Sequence, residues 1–231
     1  MKPRVVVLSG AGISAESGLK TFRADDGLWE EHKVEDVATP EAFARDPKLV
    51  LRFYNQRRRQ VMAAEPNAAH RALSELEQDF QVNVVTQNID DLHERGGSTS
   101  VVHLHGEILQ MRSVLDDATL FSTQGEDIVL GDLAQDGGQL RPHVVWFGEA
   151  VPELEAAAEI VAQADVLLIV GTSLAVYPAA SLMHFAPPHA KRYLVDPNAE
   201  ALAVDGVEVF AEAASTGVPK LVQRLRQRRL P

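Results

Sequence analysis

The chain has 231 residues, with 33 acidic against 22 basic side chains and a formal net charge of −11, which excludes a generally basic nucleic-acid binder. It contains no cysteine, so disulfides, thiolate nucleophiles, CxxC redox chemistry and sulfur-based zinc sites are all excluded, and any catalysis must use oxygen and nitrogen. At 45% apolar and 24% charged, the composition is that of an ordinary globule, long enough for one sizeable core or for a domain with a smaller insert.

Arg4 to Ser9 (RVVVLS) is a continuous apolar run ending at Gly10, the pattern of a parallel strand buried on both faces. The short apolar run after Met1-Lys2-Pro3-Arg4 is too short for the core of a signal peptide. No stretch reaches the ~20 apolar residues needed to span a membrane, so the expected location is the cytoplasm, without a membrane partner. Residues 41–63 carry apolar positions at helical spacing, and residues 68–79 read as a second amphipathic helix, with Pro66 and Asn67 as the break between them. Strands are expected at 82–86, 101–105, 166–170, 192–195 and 207–210, and helices at 154–164 and 219–229. Residues 112–139 are acidic and glycine-containing, with no clear period, and read as an insert. Strands alternating with helices predict an α/β fold: a Rossmann-like, doubly wound parallel sheet with a small inserted lobe. The expected division is a large lobe over about 1–30, 80–110 and 140–231, and a small lobe over about 31–79 and 111–139, within one catalytic domain spanning 1–231.

The turn Gly10-Ala11-Gly12-Ile13-Ser14 offers exposed backbone N–H groups beside a helix start, which is how α/β proteins cradle a diphosphate. A purely structural strand turn would have the same residues. The dehydrogenase form GxGxxG meets Ala15 at its third position, and the continuation is a polar loop with Thr21, Phe22 and Arg23 instead of a long packing helix.

The order GAGISAESG, TFR, TQNID (86–90), LHGE (104–107), WFGE (146–149) and GTS (171–173) resembles the sirtuin family over about residues 3–225. The resemblance implies an NAD-dependent protein lysine deacylase that consumes NAD, releases nicotinamide and O-acyl-ADP-ribose, and takes acyl-lysine-bearing proteins as substrates. It makes His105 the general base, a role that suits an imidazole with an ordinary pKa of ~6.5. It assigns Asn88 and Asp90 to the chemistry and to NAD. It extends the NAD site over Gly10, Ala11, Gly12, Ser14, Glu16, Thr21, Phe22, Arg23, Trp29, Gln87, Ile89, Gly171, Thr172, Ser173, Asp196, Pro197, Asn198 and Ala214. Taken alone, QNID and GTS are equally ordinary helix caps or turns. His103 receives no role in this reading, and nothing clearly completes a His103/His105 metal pair.

Val145, Phe147, Gly148 and Glu149 resemble the segment whose backbone pairs with the extended acyl-lysine peptide. Tyr54 and Arg57 lie three apart, hence on one helical face, and resemble the branch that accepts succinyl and malonyl groups. A guanidinium fork with a phenol suits a buried carboxylate, while the run Arg57-Arg58-Arg59 equally reads as a solvated face. Asp25 stands where relatives carry a small residue, and its charge would oppose an acidic acyl group. The family's four zinc cysteines have no counterpart in 112–139, so no zinc is expected, and the lobe must hold by packing or be partly mobile. Two competing readings are an NAD-linked oxidoreductase and an NAD or ADP-ribose sensor without turnover. A metal amidohydrolase built on His103 and His105 is a further alternative.

Overall fold

The computed structural model describes residues 2–20, 28–29, 32–172, 174, 176–199 and 206–227. Thr21, Phe22, Arg23, Asp25 and Ser173 lie outside the described residues.

Six strands form one parallel sheet: β1 (Arg4–Ser9), β4 (Gln81–Thr86), β5 (Val101–His103), β9 (Val166–Val170), β10 (Lys191–Val195) and β11 (Glu208–Phe210), in the order β11-β10-β9-β1-β4-β5. Both faces of this sheet are covered, which is why β9 reads VLLIV with every residue buried. Val5 and Val7 of β1 face a layer made by α5 (Ala68–Glu75) and α8 (Ala214–Gln227), while Val6 and Leu8 face α7 (Leu154–Val161) and the 3-10 helix Ala179–Phe185. The chain pairs β1 with β4 on one side and with β9 on the other, so the winding reverses beside β1, the place at which sheets of this kind bind ligands beyond the carboxyl ends of their strands.

A third cluster lies off the sheet. It joins α2 (Val34–Val37), α3 (Pro40–Arg45) and α4 (Pro47–Ala63) to a three-stranded antiparallel sheet, β7-β6-β8, formed by β6 (Gly106–Ser113), β7 (Leu120–Ser122) and β8 (Leu140–Val144). β2 (Leu28–Trp29) and β3 (His32–Lys33) form a short hairpin beside it. Two four-residue helices, α1 (Gly12–Ala15) and α6 (Leu92–Arg95), follow the loops after β1 and β4.

Several elements differ from expectation. The helix expected over 41–63 is two helices, because Asp46 adopts a non-helical conformation (φ −145°, ψ 78°), caps Leu49 N–H at 3.0 Å and hands over to Pro47 at the first helical position. The last helix begins at Ala214, five residues before the expected start at 219, since the Glu16 carboxylate accepts from Ser215 N–H (2.9 Å) and Oγ–H (2.6 Å) and leaves Pro219 inside the helix. The strand expected at 101–105 ends at His103, which puts His105 in the following turn. α5 packs on the parallel sheet through Ala69, Ala72 and Leu73.

The segment 112–139 is tied together by polar contacts. Ser113 Oγ–H donates to the Asp136 carboxylate at 2.9 Å, and Asp136 also accepts from Gly138 N–H at 2.8 Å. From α4, the Asn55 side chain bonds both the N–H (3.0 Å) and the carbonyl (2.8 Å) of Ile128, and Arg58 donates to the Ile108 and Glu126 carbonyls and to Asn55. Arg58 is fully buried, and burial pulls its pKa down to about 10. The arginine run is therefore a solvated face only at Arg59, which pairs with Asp127; Arg57 and Arg58 point inward.

Candidate functional site

Loops leaving β1, β4, β5, β9 and β10 meet at the carboxyl edge of the sheet. The first and fourth interlock as backbone against backbone: Gly12 N–H donates to the Gly171 carbonyl at 2.8 Å. A Cβ on Gly12 would stand 2.7 Å from Gly171 Cα, and one on Gly171 (φ +60°) would stand 2.3 Å from the Ile13 nitrogen. The glycine turn therefore has a packing role of its own, and the exposed donors expected there are largely spent: the N–H groups of Gly10, Gly12, Ile13 and Ser14 are all taken by backbone carbonyls. Ala11 lies in this turn, and Gly10 N–H is taken by the Val170 carbonyl at 3.0 Å.

The loop after β4 is wired into this junction. Gln87 donates from Nε2 to Thr172 Oγ1 at 3.2 Å, and Asn88 donates from Nδ2 to Ser14 Oγ at 3.1 Å. Ser14 Oγ–H donates onward to Asp90 at 3.1 Å, and Asp90 also accepts from Leu92 N–H at 3.2 Å. Burial raises the pKa of Asp90, against the lowering effect of those two hydrogen bonds. Ile89 is buried, and its carbonyl accepts from Ile108 N–H at 2.9 Å, anchoring the loop to β6.

Behind Ser14 stands a buried histidine pair. His70 approaches Ser14 Oγ at 3.5 Å through Nε2, and its Nδ1 accepts from Asn67 N–H at 3.2 Å. The His93 ring lies 5.0 Å from that of His70, and its Nε2 is 2.9 Å from Ser9 Oγ. Burial lowers the pKa of His70 to about 4 and that of His93 in the same direction, so both are neutral.

His105 contacts the Gln87 carbonyl through Nδ1 at 3.0 Å. A carbonyl only accepts, so Nδ1 carries the hydrogen and Nε2 keeps its lone pair. Burial lowers the His105 pKa, opposed by the Gln87 hydrogen bond, and the ring is a neutral base at neutral pH. His103 is occupied at both nitrogens, by the Asn88 carbonyl at 2.9 Å and Glu94 at 2.8 Å. That takes the lone pair a His103/His105 metal pair would need. His103 is the site residue that sequence reasoning passed over; its place two residues before His105 was the available signal.

The remaining expected residues divide. Val145 N–H bonds the His105 carbonyl at 2.9 Å, and Phe147 N–H bonds the Ala38 carbonyl at 3.0 Å, so the 145–149 segment runs beside the histidine. Gly148 takes a positive φ in this segment. The Glu149 carboxylate is committed to Arg141 (2.7 and 3.1 Å) and to Trp146 N–H (2.7 Å). Trp29 meets Phe53 and Tyr54 edge-on, with the Arg57 guanidinium 5.7 Å from its ring centre. Tyr54 is buried, its hydroxyl makes no well-aligned hydrogen bond among the described residues, and burial raises its pKa well above the ordinary tyrosine value, opposed by the nearby Trp146. Arg57 is also buried and donates to the Lys20 carbonyl at 3.0 Å. Asp196 accepts from Asn198 N–H at 2.8 Å across Pro197, a local turn at the end of β10. At the start of α8, Glu16 is engaged as the cap of Ser215, and the preceding Ala214 is buried.

This chain is 56% identical over 198 residues to an NAD-dependent protein deacylase of Aggregatibacter actinomycetemcomitans, covering 86% of this chain and 95% of the relative. It is 53% identical over 222 residues to one of Helicobacter pylori, covering 96% of each. Its fold matches a crystal structure of a Sir2 homolog–NAD complex with a TM-score of 0.86 and 37% identity, covering 98% of this chain and 90% of that one. The Sir2 family pattern matches residues 10–178, and with these relatives it establishes that the chain belongs to the Sir2 family.

Proposed function

We propose that this chain is an NAD-dependent protein lysine deacylase, consuming NAD and releasing nicotinamide, O-acyl-ADP-ribose and the free lysine. The observation that carries the reading is the tautomer of His105: Nδ1 is held by the Gln87 carbonyl, and Nε2 is left as a base beside the loop of Asn88 and Asp90. The similarity to proteins named NAD-dependent protein deacylases and to a Sir2 homolog that binds NAD supports it.

In this reading, the diphosphate lies against the turn of Gly10 to Ser14 and beside Gly171 and Thr172, with Asp196, Pro197, Asn198 and Ala214 toward the adenosine end. Gln87, Asn88, Ile89 and Asp90 orient the ribose and the nicotinamide carboxamide. His105 Nε2 takes a proton from a ribose hydroxyl, which then attacks the acyl intermediate. The leaving group is already activated by its pyridinium charge, so the chain's main work is positioning and proton removal. Val145 to Glu149 lie beside the acyl-lysine segment of a protein substrate. The six-stranded sheet forms the larger lobe, and α2, α3, α4 and the antiparallel sheet form the smaller one. Activity without zinc is expected, the smaller lobe being held by Asn55, Arg58 and Asp136.

The acyl preference belongs to the same proposal. The Tyr54 hydroxyl is buried and makes no well-aligned hydrogen bond among the described residues, and Arg57 lies on the same face of α4, a donor pair suited to the carboxylate of a succinyl or malonyl group. The test is mass spectrometry of acetyl-, succinyl- and malonyl-lysine peptides incubated with the pure protein, with and without NAD. Loss of the acyl group only with NAD, accompanied by nicotinamide, is the expected result. Bound NAD without turnover of any peptide would replace the reading with a sensor, and growth of the reduced-nicotinamide absorbance would replace it with an oxidoreductase.

A further inference from the structure

Two histidines lie two residues apart at the end of β5, and the chemistry above uses only one. His103 is enclosed, its side chain 8% exposed, between the Asn88 carbonyl at Nδ1 and the Glu94 carboxylate at Nε2. A carbonyl and a carboxylate both only accept, so this ring donates from both nitrogens and is an imidazolium. His105 has a single acceptor and one free lone pair. The two neighbours are thus held in opposite charge states by the number of acceptors each one faces.

The surroundings agree. The titratable groups acting on or responding to His103 are Glu94 and His93 from α6, Asp90 from the loop after β4, Glu107 from β6 and His143 from β8. His93 and His143 are kept neutral, chiefly by burial. Burial disfavours charge on His103, but the hydrogen bonds of Glu94 and Asn88 outweigh it and raise its pKa, while Glu94 is lowered by the same contact despite burial. A hydrogen bond from a cation grips its acceptor more firmly than one from a neutral ring. Here the acceptor is the backbone of Asn88, whose side chain bonds Ser14, and the positive charge also favours ionised Asp90.

We propose that His103, paired with Glu94, is a positioning residue for deacylation: it fixes the 87–90 loop in the register at which Asn88 and Asp90 meet the ribose and nicotinamide of NAD. This rests on the deacylase reading.

The test combines imidazole nitrogen NMR with steady-state kinetics on the full chain. In the wild type at pH 7.5, both His103 nitrogens should carry hydrogen, while His105 carries it on Nδ1 alone. Glu94→Gln should leave His103 with one hydrogen at that pH and raise KM for NAD about tenfold, the scale of one charged hydrogen bond, with KM for the acyl peptide unchanged and Glu94→Asp restoring part of the loss. Should Glu94→Gln fold poorly, His103→Gln keeps a donor toward Asn88 without the charge, and the same rise in KM for NAD is expected. A purely structural pair would lower the melting temperature and leave KM for NAD as it was, and that outcome overturns the proposal. So does a singly protonated His103 in a wild-type protein that turns over. A wild type that deacylates nothing overturns the deacylase reading, and the catalytic part of this inference with it.

Discussion

The Nδ1 of His105 stands 3.0 Å from the carbonyl of Gln87, and both residues belong to loops at the carboxyl edge of the parallel sheet. The contact selects the tautomer, and the burial that accompanies it lowers the pKa of the ring. Replacing His105 with Ala is expected to reduce kcat by a factor on the order of 10² to 10⁴, the contribution of a positioned base, with NAD binding by calorimetry nearly unchanged. Because the pKa is lowered, the base form persists to more acidic pH, and the acid limb of kcat/KM should fall below ~6.5, the value of a free imidazole. An acid limb above that value would argue against His105 as the base.

The interlock of Gly12 with Gly171 makes a second prediction. A methyl group at 171 would collide with the Ile13 nitrogen and occupy a positive φ, so Gly171→Ala should cost about 1–3 kcal/mol of stability and weaken NAD binding together. Denaturant titration and calorimetry on one preparation check it. Wild-type stability in this variant would mean that the two loops separate freely.

Acid sensitivity follows from the buried histidines. The pKa of His70 is about 4 when folded and ~6.5 when unfolded, so the unfolded chain binds more protons between those values. Its stabilising contribution is complete above pH ~6.5 and is lost as pH falls, reaching about 3 kcal/mol by pH 4. His93 acts in the same direction, and the raised pKa of Asp90 acts in the opposite one. Comparing unfolding free energies of wild type and His70→Gln from pH 7 to 5 isolates the effect, since the variant should show a flatter slope. Parallel slopes would show that His70 does not titrate on unfolding.

Acyl preference is checked at α4. Arg57→Ala is expected to lower kcat/KM for succinyl-lysine peptide by at least about tenfold, the value of a charge-assisted contact, with acetyl-lysine turnover changed much less. Tyr54→Phe should move in the same direction by a smaller factor. Equal losses for both peptides would assign Arg57 to folding through its bond to the Lys20 carbonyl.

Much of the parallel sheet was legible in the sequence, because strands buried on both faces leave unbroken runs such as VVVLS and VLLIV. The loops at their ends were legible through their motifs. What escaped were contacts between distant parts of the chain. Glu16 caps a helix 199 residues away, and no local pattern near Ala214 announces that start. Within 112–139 only the end of β6 and the three residues of β7 are strand, too short a run for a two-residue alternation to show, and the rest is held by contacts to Asn55, Arg58 and Ser113. Arg58 reads as a surface residue in RRR until Ile108, Asn55 and Glu126 are seen to close around it. His103 was passed over because its partners, Asn88 O and Glu94, converge only in the folded chain.

The placement of β1 between β4 and β9 sets a timetable. Val5 pairs with Val82 on one side and with Val166 on the other, so during synthesis β1 gains its first neighbour with β4 and must wait for β9, far later in the chain, before its second exists. Closing so long a loop is slow. Until Gly171 has emerged, the Gly12 turn has no backbone to lean on, and a nascent or truncated chain ending before β9 would present one edge of β1, with its unpaired N–H and C=O groups, to whatever chaperone or other unfolded chain is near.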